Sequence, residues 1–179
     1  MKLFFNGIMP IGIALSLLFV SCAKESTTEI IPANEIAVRD TVFTMNNNVN
    51  KAVMLELINE ARAKGCNCGG VEMAPVGPVT WNLKLEQAAY LHAKEMRDSS
   101  YFSHTGANGS NAGQRITNVG YKWAAYGENL ALGILSEQQV MAGWLNSPTH
   151  CQVIMNARYK EMGVALVGNF WAQEFAEAK

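Results

Sequence analysis

Residues Val140–Leu166 read "VMAGWLNSPTHCQVIMNARYKEMGVAL", and a change of pattern within them decides the fold. Val140, Met141, Trp144 and Leu145 recur at helical spacing, and Ser136 with Gln139 just upstream has the spacing of a capping box. From Glu161 the period changes. "EMGVALVGNFWAQEFA" gives two apolar strands around Gly168-Asn169, a dipeptide suited to a tight hairpin turn. Between helix and hairpin lies "NSPTHCQVIM", which sets His150 directly beside Cys151.

Upstream the pattern is mainly helical. "NNVNKAVMLELINEARAKG" places Val49, Val53, Leu57, Ile58 and Ala61 on one face, with Gly65 as a stop. "CNCGGVEMAPVGPVTW" reads as loop. A second helix starts after Asn82 as N-cap and carries Leu85, Ala88, Ala89, His92 and Met96 on one stripe. His92 on that stripe is expected to be a packing residue. "YFSHTGANGSNAGQRI" is a glycine-rich loop leading into a short helix over 112–119, and "YGENLALG" is loop or extended. Helices first and paired strands last predict an α+β domain, with helices covering an antiparallel sheet.

The chain has 179 residues, enough for one domain with a real core. Its 14 Lys and Arg against 15 Asp and Glu form no basic stripe, which argues against a nucleic-acid partner. The N-terminus carries Lys2, an apolar run from Ile8 to Val20 and then Ser21-Cys22. That run is too short to span a bilayer and reads as a signal peptide over 1–21. Its end resembles a bacterial lipoprotein signal, with Phe19 where leucine is usual, so Cys22 is expected to be lipidated and to anchor the chain to the membrane. Lys24-Glu25 resembles a surface-export signal. Residues 22–47 read as a tether, and 48–179 as the domain. The expected location is therefore the cell envelope, at the outer membrane or cell surface.

Export favours disulfide chemistry for Cys66, Cys68 and Cys151. Either Cys66 or Cys68 is expected to bridge to Cys151, leaving one cysteine spare. A zinc site from these cysteines and His150 lacks the usual ligand spacing. A Cys151–His150 nucleophile pair fails on geometry: adjacent helical residues do not face each other, and a bridge removes the thiolate. His104, Glu128 and His150 form a second set. Glu128 sits among apolar and aromatic neighbours and needs a partner if buried. Two histidines and a glutamate are zinc-type donors, with the glutamate as third ligand or as a base for bound water. Spacing alone leaves each of them open to a local capping or packing role.

"LINEARAKGCNCGG", "VTWNLKLEQAAYLHAKEM", "YFSHTG", "YGENLALG", "VMAGWLNSPTHCQVIMNARYKEMGVAL" and "FWAQEFA", taken in order, resemble a bacterial CAP (SCP) domain from about Asn50 onward. That superfamily includes cysteine-rich secretory proteins, antigen 5 and plant pathogenesis-related proteins. The resemblance implies an α–β–α three-layer sandwich with a small antiparallel sheet between helices. It also implies a cleft of two histidines and two glutamates, of which His104, Glu128 and His150 match three. The fourth falls on Ser147. Asn129 of the G-E-N motif and Gln173 of "FWAQEF" would support the cleft. His104 and His150 would bind a divalent metal such as zinc. The family is variously linked to lipid binding, metal-dependent association and proteolysis. The chain is accordingly expected to be a monomeric binding module taking a lipid or peptide. A zinc-dependent, peptidase-like hydrolase and a structural or adhesive protein with an idle cleft are the alternatives.

Overall fold

The computed structural model describes residues 44–179. The signal peptide, the lipidation of Cys22 and most of the tether lie outside the described residues. In chain order the elements are α1 (Lys51–Lys64), β1 (Cys66–Asn67), β2 (Glu72–Met73), β3 (Thr80–Trp81), α2 (Leu83–Asp98), α3 (Ala112–Asn118), β4 (Trp123–Leu132), α4 (Glu137–Asn146), α5 (Pro148–Ile154), β5 (Glu161–Val167) and β6 (Phe170–Ala178). The main sheet runs β3-β5-β6-β4. α2 and α3 cover one face, and α1, α4 and α5 cover the other. This is the α+β, α–β–α sandwich.

Local chemistry sets the ends. The side chains of Asn50, Asn82, Asn111 and Ser136 each accept a backbone N–H of the first turn of α1, α2, α3 and α4. Around Asn111 and Ser136, Gln114 and Gln139 complete capping boxes. Gly168, at φ 63°, turns β5 into β6 through a two-residue loop.

β6 is buried on both faces, and alternation divides its side chains by size. Ala172 and Ala176 lie toward α2, whereas Trp171 and Phe175 lie toward the opposite helical layer. The small side allows α2, with Ala88, Ala89 and Ala93, to come close. At Gly163 of β5 a Cβ would overlap the main chain of Leu85 and Glu86.

Three details differ from the sequence reading. Of the expected face Val49 and Ile58 are buried and Leu57 and Ala61 pack partly buried against the core, but the fully buried stripe of α1 is Met54, Ile58 and Arg62. The helix is rotated because the buried Arg62 guanidinium donates to the carbonyls of Gly77, Ile154, Asn156 and Tyr159, tying α1 to the chain after α5. The "CNCGG" loop contains the short β1–β2 hairpin. The sheet is not wholly antiparallel, since β3 pairs parallel with β5 over two residues. Of the two readings left open for "YGENLALG" the extended one holds: the stretch belongs to strand β4 at the sheet edge. The outward carbonyls of Ala124, Tyr126 and Leu130 on that edge accept from Arg158, Tyr159 and Trp144 side chains.

Gly163→Ala should destabilise the fold by about 3 kcal/mol, the upper range for overpacking, because the obstacle is backbone. Urea unfolding measures it. A loss below about 1 kcal/mol would mean that α2 can lift off the sheet at little cost.

Candidate functional site

β4 brings the site together because it is an edge strand. Side chains alternate along it, so Glu128 faces the α2–α3 layer and Asn129 the α5 layer, yet both lie at the same rim. Glu128 has a nearly buried side chain, 4% exposed. Its Oε1 lies 2.6 Å from His104 Nδ1, and its Oε2 accepts from Arg115 of α3 at 2.5 Å. The same guanidinium donates to the His104 carbonyl at 3.1 Å and to that of Ser110. One arginine thus neutralises the carboxylate and positions the loop that carries its histidine partner.

His104 remains 60% exposed, and with Nδ1 committed to Glu128 its Nε2 is the ring nitrogen left for another contact. The hydrogen bond to Glu128 raises the His104 pKa against the opposing effect of burial. Burial alone would push the Glu128 carboxyl up, but the His104 hydrogen bond and the Arg115 charge hold it below the usual range. His92 lies fully buried beneath. Its Nε2 donates to the Ser103 carbonyl at 2.9 Å, and burial lowers its pKa, so it is a neutral packing histidine.

On the other side of β4, His150 occupies α5. Its carbonyl accepts from Asn129 Nδ2 at 3.2 Å, and the same amide donates to Gln173 Oε1 at 3.0 Å. Asn129 and Gln173 are cross-strand partners on β4 and β6, so they form a buried amide clamp under α5. Burial, followed by the charge on His104, lowers the His150 pKa. Ser147 is the residue before α5 and makes no side-chain cap there. With His150, Leu130, Val140 and Trp144 it lines a largely apolar cavity of about 260 Å³. Leu132 and Ile134, which follow in the chain, are exposed.

Cys151 has a separate role. It is bridged to Cys68 across 83 residues, which decides between the two expected partners, and Cys66 is left as a free thiol. Among the described residues, the metal-type donors gathered in a group of three are Cys66, Cys68 and Cys151 rather than the cleft triad. The cleft therefore offers two imidazoles and a carboxylate whose oxygens both have partners.

Two site residues escape the sequence reading. Arg115 shares the buried side of α3 with Ala112 and Ile116, and a charge on that face was the available signal. Glu174 interrupts the apolar run of β6 directly opposite Glu128. It is fully buried, and no donor reaches either of its oxygens. Burial and the neighbouring Glu128 charge push its pKa well above the ordinary range, so it keeps its proton as a neutral acid beside Glu128.

The family model for cysteine-rich secretory proteins (CAP) matches residues 55–175. The chain belongs to the CAP family. Among curated relatives, the Bacillus subtilis membrane protein YlbC is 23% identical over 85% of this chain and 42% of its own length. Bacillus subtilis YkwD is 28% identical over 55% of this chain and 39% of its own. The chain thus spans about two-fifths of the length of these relatives. Among solved structures, an extracellular SCP-domain protein from Bacillus anthracis aligns at TM-score 0.63 and 25% identity, covering 70% of this CAP chain and 39% of the other. An outer surface protein from Borrelia burgdorferi aligns at TM-score 0.62 and 22% identity, covering 76% of this chain and 100% of the other.

The fold keeps a proton on Glu174 that the unfolded chain releases above the ordinary glutamate range. Stability contributed by that proton is full below this range and falls as pH rises toward the folded pKa. Glu174→Gln should therefore match wild type near about pH 4 and exceed it at about pH 8. Thermal unfolding across that interval reads the difference, and a variant less stable at the alkaline end would show that the carboxyl is ionised in the fold. Glu128→Gln should bring the His104 pKa down, as followed by imidazole NMR titration. An unmoved value would deny that Glu128 charges His104.

Proposed function

We propose that this CAP protein is an exported, lipid-anchored binding module of the cell envelope. Its cleft would hold a divalent ion such as zinc between His104 and His150, and an apolar group of a lipid or peptide in the adjoining cavity. The arrangement around His104 carries this reading. Its Nδ1 is fixed by Glu128, which is how a carboxylate orients a metal-binding imidazole and leaves Nε2 free. His150, held neutral by burial, is in the protonation state that metal binding needs.

Binding is preferred to hydrolysis because Glu128 already has partners at both oxygens. Service as a third ligand or as a base for water would require it to give up His104 or Arg115. The lipoprotein-type N-terminus supports an envelope location, and so do relatives described as an outer surface protein, an extracellular protein and a membrane protein.

Zinc titration of the oxidised full chain, with its free thiol alkylated, separates the cleft from the cysteines. One equivalent should bind. His104→Ala and His150→Ala should abolish binding, and Glu128→Gln should weaken it about tenfold, as loss of an outer-shell partner does. Binding that survives both histidine changes would dismiss the metal cleft. Gly143 of α4 lines the cavity and faces open space, so Gly143→Phe should fill it without a clash. A fluorescent fatty acid that binds wild type should lose affinity at least tenfold in that variant, and equal binding would remove the cavity from the reading.

A further inference from the structure

Cys66 is half-buried on the two-residue strand β1, and its Sγ lies 3.1 Å from Cys151 Sγ and 3.6 Å from Cys68 Sγ. A free thiol is thus held against both sulfurs of the bridge that anchors α5. We propose that Cys66, Cys68 and Cys151 form an internal thiol–disulfide exchange site, with two alternative bridges to Cys151.

The step is balanced within the chain. Cys66 loses its proton, and a lone pair on its sulfur forms a bond to Cys151 Sγ. The Cys68–Cys151 bond breaks, its electron pair leaves on Cys68, and Cys68 Sγ takes up a proton. One disulfide and one thiol exist before and after, so no oxidant or reductant is consumed.

Three observations select this exchange. Cys151 is the closer sulfur. Attack on Cys68 would instead join residues separated by one position of extended chain, whose Cα atoms stand about 6.6 Å apart, near the limit of disulfide reach. Cys151 is therefore common to both bridges, and α5 stays anchored in either. Finally, the segment that must shift is small: β1 and β2 pair over two residues each, and the turn between them contains Gly69 and Gly70 at φ 65° and 96°. Cys66 Sγ stands at similar distances from both bridge sulfurs, beside the bond rather than on its extension, so rotation of the Cys66 side chain precedes attack.

The exchange reaches the cleft. Gly69 packs so tightly on Pro148, the first residue of α5, that a Cβ there would overlap the proline ring. Moving the bridge from Cys68 to Cys66 changes how this turn sits against the helix that carries His150. Burial and the Glu72 carboxylate raise the Cys66 thiol pKa, so the reactive thiolate is favoured by alkaline conditions.

Oxidised full chain is incubated at mildly alkaline pH, quenched in acid, alkylated and mapped by peptide mass spectrometry. Label should shift from Cys66 to Cys68 as the Cys66–Cys151 peptide pair appears, at a rate independent of protein concentration. Cys68→Ser should form the Cys66–Cys151 bridge and leave neither of these two cysteines free, whereas Cys66→Ser should keep Cys68–Cys151 and take no label at either. Label confined to Cys66 throughout would overturn the proposal, as would folded Cys68→Ser with two free thiols. If Cys68→Ser does not fold, the label distribution in wild type decides alone.

Discussion

A carboxylate taken out of water at the edge of the sheet governs this molecule. Glu128 can stay charged in a nearly closed pocket because Arg115 meets one oxygen and His104 the other. Such a charge without partners would cost several kcal/mol. The pairing therefore fixes more than itself. It holds α3 against β4 through Arg115, and it holds the loop after α2 through both the ring and the carbonyl of His104. Glu174 opposite adds a condition: two adjacent buried carboxyls cannot both ionise, so Glu128 keeps the charge and Glu174 the proton.

The other side of β4 works by neutral contacts. Asn129 donates to the His150 carbonyl and to Gln173 Oε1, and the Cys68–Cys151 bridge fixes the next residue of α5. In a chain-entropy view, closing a loop of that length is worth about 4–5 kcal/mol. The two histidines thus reach one rim by different means. His104 is drawn in by charge, whereas His150 is carried there by a helix whose backbone is stapled. That difference accounts for their opposite pKa directions.

Much of this was legible in the residues. The N-cap at Asn82, the Ser136–Gln139 box and the Gly168-Asn169 turn are local signals, and each names its element because the chemistry lies within a few residues. The separation of His150 from Cys151 followed from helical geometry once α5 was assumed. Partnerships across the chain were not legible from local pattern. Arg62 looks like an exposed charge near a helix end, and only its four carbonyl acceptors, gathered from two distant segments, explain its burial. Glu174 looks like a lapse in an apolar strand until Glu128 is placed across from it. The choice between Cys66 and Cys68 depends on a hairpin two residues wide, below the length at which strand periodicity can be read.

The side-chain caps along β4 bear on how copies of this domain meet. An exposed strand edge is a template on which a second chain can pair and begin to aggregate. Here Arg158, Tyr159 and Trp144 occupy the outward carbonyls at Ala124, Tyr126 and Leu130. At the opposite border β3 covers two residues of β5, and Asn47 takes the Val164 carbonyl and the Leu166 N–H beyond them. Neither border offers a run of free acceptors long enough to seed another sheet. The residues guarding β4 come from α4 and the turn after α5, so that edge becomes unreceptive to its own copies only when the last helices have docked.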